Sequence, residues 1–306
     1  MRSLLLAMSG SAWLRDRATK AAFVRRATRR FMPGETFDDM LAAAREQSAA
    51  GLRCVFTRLG ENVTRTDEAE SVTRHYLDAL DRVVAERLEC EPSVKLTQLG
   101  LDVDEERCFE ALCTIAARAD ARGFYLWVDM EQSPYVDRTL SMVRNVRVAF
   151  PNVGVCLQSY LHRTPADLPA LLESGCGVRL VKGAYREPPS VAHAAKRDVD
   201  AAYFTLARTM LSPAGRAAGA RLAFGTHDLG LVARIRDHAR RTGVPAADCE
   251  VHMLYGIQRA AQRALAAEGA NVRVLIAYGS YWFPWYMRRL AERPANVWFV
   301  ARSLFS

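Results

Sequence analysis

A chain of 306 residues, half of them hydrophobic and a quarter charged, can bury a large core and has an ordinary soluble composition. The formal charge of +8 suits anionic ligands or an anionic surface, but no nucleic-acid motif accompanies it, so no nucleic-acid partner is expected. No apolar run approaches membrane-spanning length, and the seven cysteines, odd in number and without a CxxC, read as reduced thiols of a cytoplasmic protein. The six histidines show no metal-ligand spacing, and no metal is expected.

In chain order, the first thirty residues are basic and amphipathic, with Arg15, Arg17, Lys20, Arg25, Arg26, Arg29 and Arg30 among Trp13, Phe23, leucines and alanines. A transit peptide or a lipid-surface helix would share that pattern. A packed helix is favoured, because the pattern runs unbroken into Gly34-Glu35-Thr36 and a second helix. Residues 1–90 read as a helical arm with an N-cap at Thr36 or Asp67, and a soft boundary near Cys90-Glu91-Pro92 leaves residues 91–306 as the main domain.

From there, apolar β-type runs alternate with helical stretches. The strand candidates are Ser93–Gln98, Phe124–Asp129, Gly154–Gln158, Val178–Lys182, Leu222–Thr226, Glu250–Leu254, Val272–Ala277 and Val297–Ala301. Eight βα units point to an α/β fold of the (βα)₈ TIM-type barrel class. A doubly wound open sheet ranks lower, since no glycine-rich phosphate turn follows a strand.

Polar residues collect at the strand ends, where such barrels place their chemistry. Lys95 and Gln98, Asp129 and Glu131, Gln158 and Ser159, Arg179 and Lys182, and Thr226, His227 and Asp228 all fall there. Charges inside strands are costly unless paired or ligated, so Lys95, Asp129, Arg179 and Lys182 together define a shared site. Further on, Trp285, Arg288, Arg289 and Glu292 share one face of a helix stopped by Pro294. Taken alone, that face reads either as a guanidinium fork for a carboxylate or as a solvated Arg288–Glu292 pair.

Seven ordered motifs resemble the flavin-dependent proline dehydrogenases. They are Ser93-Val94-Lys95-Leu96-Thr97-Gln98-Leu99-Gly100, Asp129-Met130-Glu131, Gln158-Ser159-Tyr160-Leu161, Arg179-Leu180-Val181-Lys182-Gly183-Ala184-Tyr185, Phe224-Gly225-Thr226-His227-Asp228, Met253-Leu254-Tyr255-Gly256 and the Arg288-Arg289 segment. Arg30–Thr36 and Leu59-Gly60-Glu61 are similar to the short, monofunctional bacterial members, so the likeness spans almost the whole chain.

The resemblance implies a distorted barrel holding FAD non-covalently and oxidising L-proline to Δ1-pyrroline-5-carboxylate, the first step of proline catabolism, by hydride transfer from ring C5 to flavin N5. It implies that Arg179 lies near N5, that Asp129, Lys182, Gly183 and Ala184 contact the cofactor, and that Gln158 bonds the pyrimidine edge. Thr226 and His227 would hold the cofactor further along, with Glu292 at its ribose end; a satisfied strand-end histidine is the plainer reading of His227. Lys95, Arg288 and Arg289 would bind the substrate carboxylate, with Asp129 as counter-charge. Tyr185, Ala184 and Leu254 would wall the ring. A membrane quinone is the implied electron acceptor, with peripheral contact at the inner membrane face as a further expectation.

Two positions depart from the family pattern. Leu275 and Trp285 stand where tyrosines are usual, and both changes alter pocket volume and hydroxyl placement. A modified or different-sized cyclic amino acid is therefore an alternative substrate. A Schiff-base lyase or aldolase using Lys182, and an inactive homologue acting as a binding protein, are the alternatives from other classes.

Overall fold

The structure, a computed structural model, describes residue 28, residues 31–283 and residues 285–287. The first helix lying wholly within the described residues, α1 (Phe37–Ala49), is fixed by a capping box: Thr36 Oγ1 accepts from Asp39 N, and the Asp39 carboxylate accepts from Thr36 N. Asp67 is not a cap. It sits in the first turn of the second helix and takes both arms of Arg65, at 2.9 and 2.6 Å.

After α1 come β1 (Arg53–Arg58), α2 (Thr66–Ala85), β2 (Cys90–Val94), α3 (Glu105–Ala121), β3 (Leu126–Val128), α4 (Val136–Arg147) and β4 (Val153–Gln158). The chain continues through α5 (Thr164–Glu173), β5 (Gly177–Val181), α6 (Lys196–Leu211), α7 (Pro213–Arg216), β6 (Leu222–Gly225), α8 (Leu229–Arg241), β7 (Glu250–Leu254), α9 (Arg259–Ala267) and β8 (Val272–Tyr278). All strand pairs are parallel, and β1 pairs with both β2 and β8, which closes the sheet into a barrel. The closing seam runs from Arg53↔Arg273 to Arg58↔Tyr278.

This closure corrects two expectations. The first strand is Arg53–Arg58, inside the segment expected to be a helical arm, so the barrel begins well before residue 91 and takes α2 as its first crossover helix. Val297–Ala301, expected as the eighth strand, lies outside the described residues, and β8 already closes the ring with β1. The reason is numerical: eight strands are complete between residues 53 and 278.

Outward side chains of the strands, among them Val94, Leu126, Val128, Val155, Leu157, Leu180 and Phe224, join the helices in the main hydrophobic core. Burial there supplies the bulk of the driving force, since each fully buried aliphatic side chain contributes about 1.5–3 kcal/mol. Near the closing seam, His75 reaches Tyr278 Oη at 2.7 Å and packs edge-on against Phe37. Burial lowers the His75 pKa to about 4.

Candidate active site

Side chains alternate along each strand, and the inward set forms three rungs. Glu91, Arg221, Glu250 and Arg273 lie at the N-terminal end of the barrel, tied to one another by ion pairs. Two residues on along the strands come Ser93, Trp127, Cys156, Arg179, Ala223, His252 and Leu275. The top rung holds Lys95, Asp129, Gln158, Val181, Gly225 and Leu254, which line a cavity of about 860 Å³ together with Cys156, Arg179 and His252 from below. Charged side chains interrupt the usual apolar layering of such a barrel at all three levels.

Arg179 and Asp129 form the centre of this arrangement. Arg179 is only 2% exposed and spends three of its five N–H groups: Nε donates to Cys156 Sγ at 2.8 Å, and Nη2 to Ser93 Oγ at 2.7 Å and Asp129 Oδ1 at 2.5 Å. Its guanidinium lies over the Trp127 ring, 5.1 Å from the centroid. Asp129 Oδ1 also accepts from Ser93 Oγ at 3.0 Å, and Lys95 Nζ stands 3.6 Å from Oδ2. Burial alone would raise the Asp129 pKa, but Arg179 and Lys95 outweigh it and hold the carboxyl ionised. The buried Cys156 thiol is pushed up to about 12 and stays protonated, its S–H facing Asp129 Oδ1 at 3.4 Å.

Most of the other expected residues gather around the same cavity. Gln158, Lys182, Gly183, Ala184, Tyr185, Thr226, His227, Leu254, Leu275 and Trp285 all line it. Gln158 Nε2 donates to Met130 O at 3.3 Å, and its Oε1 has no partner among the described residues. Gly183, at φ +113°, leaves room for the Tyr160 ring, which would come within 2.3 Å of an added Cβ. His227 Nε2 accepts from Leu254 N at 3.3 Å while the ring also faces the cavity. Leu254, Leu275 and Trp285 form an apolar wall backed by Phe31, Leu59, Ile257 and Trp282.

Two details differ from expectation. Leu275 is on β8, not on a seventh strand, and the helical stretch holding Trp285 follows β8, the strand that completes the ring. Arg288, Arg289 and Glu292 lie outside the described residues. Lys182 is committed to ion pairs with Asp200 at 2.5 Å and Asp228 at 3.0 Å, and Asp228 also caps α8 through Leu231 N. That commitment is opposite to what an amine nucleophile for Schiff-base chemistry needs.

Sequence reasoning missed Ser93, Cys156, Trp127 and His252, whose signal was the two-residue strand period that puts them one rung below the polar strand ends. It also missed the charged floor. There Arg221 bonds Glu250 Oε1 at 2.6 Å and Glu91 Oε1 at 2.8 Å, and Trp127 Nε1 donates to Glu91 Oε2 at 3.1 Å. Burial would raise the Glu250 pKa, but hydrogen bonds from His252 and Arg221 more than reverse it. His252 is lowered to about 4 by burial, partly offset by Glu250.

These two histidines set a pH response. Histidine in the unfolded chain binds a proton near pH 6.5, whereas folded His75 and His252 do so only near 4, so the unfolded chain holds more protons between those values. Stability is expected to fall as pH drops through that window. Urea unfolding at pH 7 and pH 5 checks it, and an unchanged midpoint would refute it.

Among the described residues, no group of three or more His, Cys, Asp or Glu is placed to hold a metal ion, and no helix is long and apolar enough to cross a membrane. The cavity does fit a flavin. Its size suits a large ligand, and Arg179 Nη1 and Gln158 Oε1 are buried polar atoms without partners among the described residues, a donor and an acceptor suited to an isoalloxazine edge.

Fold and cavity together define a (βα)₈-barrel protein built around a large, cation-floored ligand site at the C-terminal ends of its strands. The family model described as proline dehydrogenase matches residues 40–302. Proline dehydrogenase 1 of Bacillus subtilis (strain 168) is 33% identical over 304 residues, covering 99% of each chain. Proline dehydrogenase of Deinococcus radiodurans is 32% identical over 280 residues, covering 90% of this chain and 89% of the other. The chain belongs to the proline dehydrogenase family, whose members are flavin-dependent oxidoreductases. Among solved structures, proline utilization A from Bdellovibrio bacteriovorus, inactivated by N-propargylglycine, shares the fold with a TM-score of 0.79 at 22% identity. That match covers 87% of this chain, which spans only 32% of the longer protein.

Proposed function

We propose that this protein is an FAD-dependent proline dehydrogenase that oxidises L-proline, or a closely related cyclic amino acid, to Δ1-pyrroline-5-carboxylate or its counterpart. The observation that carries this reading is the Lys95–Asp129–Arg179 set at the cavity floor, with both Nη1 hydrogens of Arg179 unspent on any described residue. FAD bound non-covalently in the cavity would supply the acceptor for the hydride of ring C5. Imine formation would draw on the substrate nitrogen lone pair, with the nitrogen-bound proton passing to water.

The chain's own residues bind and orient. Arg179 donates toward the edge where negative charge develops, which is where a preorganised cation contributes most. Asp129 fixes both Arg179 and Lys95, so the two cations are held without repelling each other apart. Lys95 with Arg288 and Arg289 would clamp the substrate carboxylate, and Tyr185, Ala184 and Leu254 would face the ring. Gln158, Lys182, Gly183, Thr226, His227 and Glu292 would hold the cofactor along its length. The purified protein should be yellow and should bleach anaerobically with L-proline. A colourless protein that binds no added FAD would end this reading.

A second reading concerns the ring. Leu275 and Trp285 face the cavity from its apolar wall, so the two departures from the family pattern sit beside the space the substrate would occupy. Leucine there leaves volume and removes a hydroxyl, which favours a larger or substituted ring. Rates on proline, hydroxyproline and pipecolate should show a shifted preference, and Leu275→Tyr should move it back toward proline by about tenfold, the scale of one pocket contact. A clear preference of the parent for unmodified L-proline would refute the shift. For the electron acceptor, a membrane quinone is the proposal, reached from a cytoplasmic or peripheral position through the basic N-terminal segment. Liposome co-sedimentation that falls with salt supports it, and no binding at low salt counts against it.

A further inference from the structure

His252 is a buried titratable group that the reaction above does not use. It stands on β7 in the same rung as Arg179, lines the cavity and is 4% exposed. Its Nε2 lies 3.1 Å from Glu250 Oε2, which also receives Arg221 Nη2 at 2.8 Å and Arg273 Nε at 3.1 Å. A carboxylate holding two guanidinium donors is ionised and can only accept. Nε2 therefore carries the imidazole proton and donates it, leaving a bare lone pair on Nδ1. That Nδ1 is buried and has no partner among the described residues.

Arg179 has the complementary surplus. Three of its N–H groups are spent on Cys156, Ser93 and Asp129, and both hydrogens of Nη1 remain. The two side chains meet on one indole: Arg179 lies over the Trp127 ring at 5.1 Å, and the His252 ring stands edge-on to it at 5.6 Å and 81°. The charged groups acting on His252 are Glu250, Arg179 and Arg273. A lone acceptor and a donor with two hydrogens to give thus share one buried rung.

We propose that His252 is a positioning residue for Arg179: its Nδ1 accepts one Nη1 hydrogen through a single buried water, and so turns the other toward the flavin edge. The inference rests on the FAD-dependent reading above for its effect on rate, but not for its chemistry. Glu250 fixes the tautomer, the tautomer makes Nδ1 an acceptor, and the acceptor fixes the guanidinium.

The holoenzyme tests it with two variants. In His252→Leu the rate of anaerobic flavin reduction by saturating L-proline should fall about tenfold, the scale of one net hydrogen bond. KM should change little, and the midpoint potential of the bound flavin should become more negative. His252→Gln, whose amide can accept from Arg179 and donate to Glu250, should restore most of the rate and the potential. Parent-like rate and potential in His252→Leu would overturn the proposal, as would a His252→Gln variant no better than His252→Leu.

A second measurement needs neither flavin nor substrate. In ¹⁵N-histidine-labelled protein, the resonances missing from His252→Gln should report a bare Nδ1 and a protonated Nε2, unmoved between about pH 5.5 and 8. A protonated Nδ1, or a titration inside that window, would overturn the proposal. If the parent is not reduced by L-proline at all, the functional reading falls, and the tautomer result still decides the case of His252.

Discussion

Replacing Arg179 with methionine should slow anaerobic flavin reduction by about 100- to 1000-fold, the cost of losing a preorganised donor at a site of developing charge. Methionine keeps much of the volume above Trp127 and leaves Asp129 paired with Lys95, so the loss would report on charge and not on collapse. Arg179→Lys should recover only part of it, because an ammonium cannot bond Cys156, Ser93 and Asp129 while still offering two hydrogens to the cavity. Stopped-flow spectra of the flavin give the rate directly. A loss below about tenfold, within the range of one ordinary hydrogen bond, would place Arg179 away from the reacting edge.

The largest effect on stability belongs to the barrel floor. Glu91 and Glu250 balance Arg221 and Arg273 in a set of two against two, all buried except the partly exposed Arg221. Glu250→Leu removes one carboxylate, leaves one guanidinium charge uncompensated, and strips His252 of its hydrogen-bond acceptor. Breaking a buried pair from one side costs about 3–5 kcal/mol. Denaturant unfolding should show that loss as a lower midpoint with little change in slope. A loss under about 1 kcal/mol, the value of an exposed pair, would mean that water reaches the floor.

Much of this architecture was legible in the sequence. Six of the proposed strands, from Phe124–Asp129 to Val272–Ala277, overlap β3 to β8, because apolar β-branched runs between amphipathic helices carry a strong signal. β1 was missed because Arg53 and Arg58 bracket only four buried residues and two long helices flank the segment. Missing it displaced the count by one and led to a strand at 297–301 that the ring does not need. The top rung was readable, since charged residues at strand ends stand out and match family motifs. The lower rungs were not. Glu91 and Arg221 pair across 130 residues of sequence, and Ser93 and Arg179 across 86, and no local pattern marks either. A buried charge declares its partner only in three dimensions.

The seam between β1 and β8 has a further consequence, for synthesis. Those strands come from opposite ends of the described chain and pair over six positions, so the ring cannot shut until residue 278 has left the ribosome. Until then the nascent barrel carries two open edges and a floor whose Arg273 is still missing, leaving Glu91 and Glu250 short of a partner. Closing the sheet and neutralising its interior are therefore one event, completed when β8 emerges.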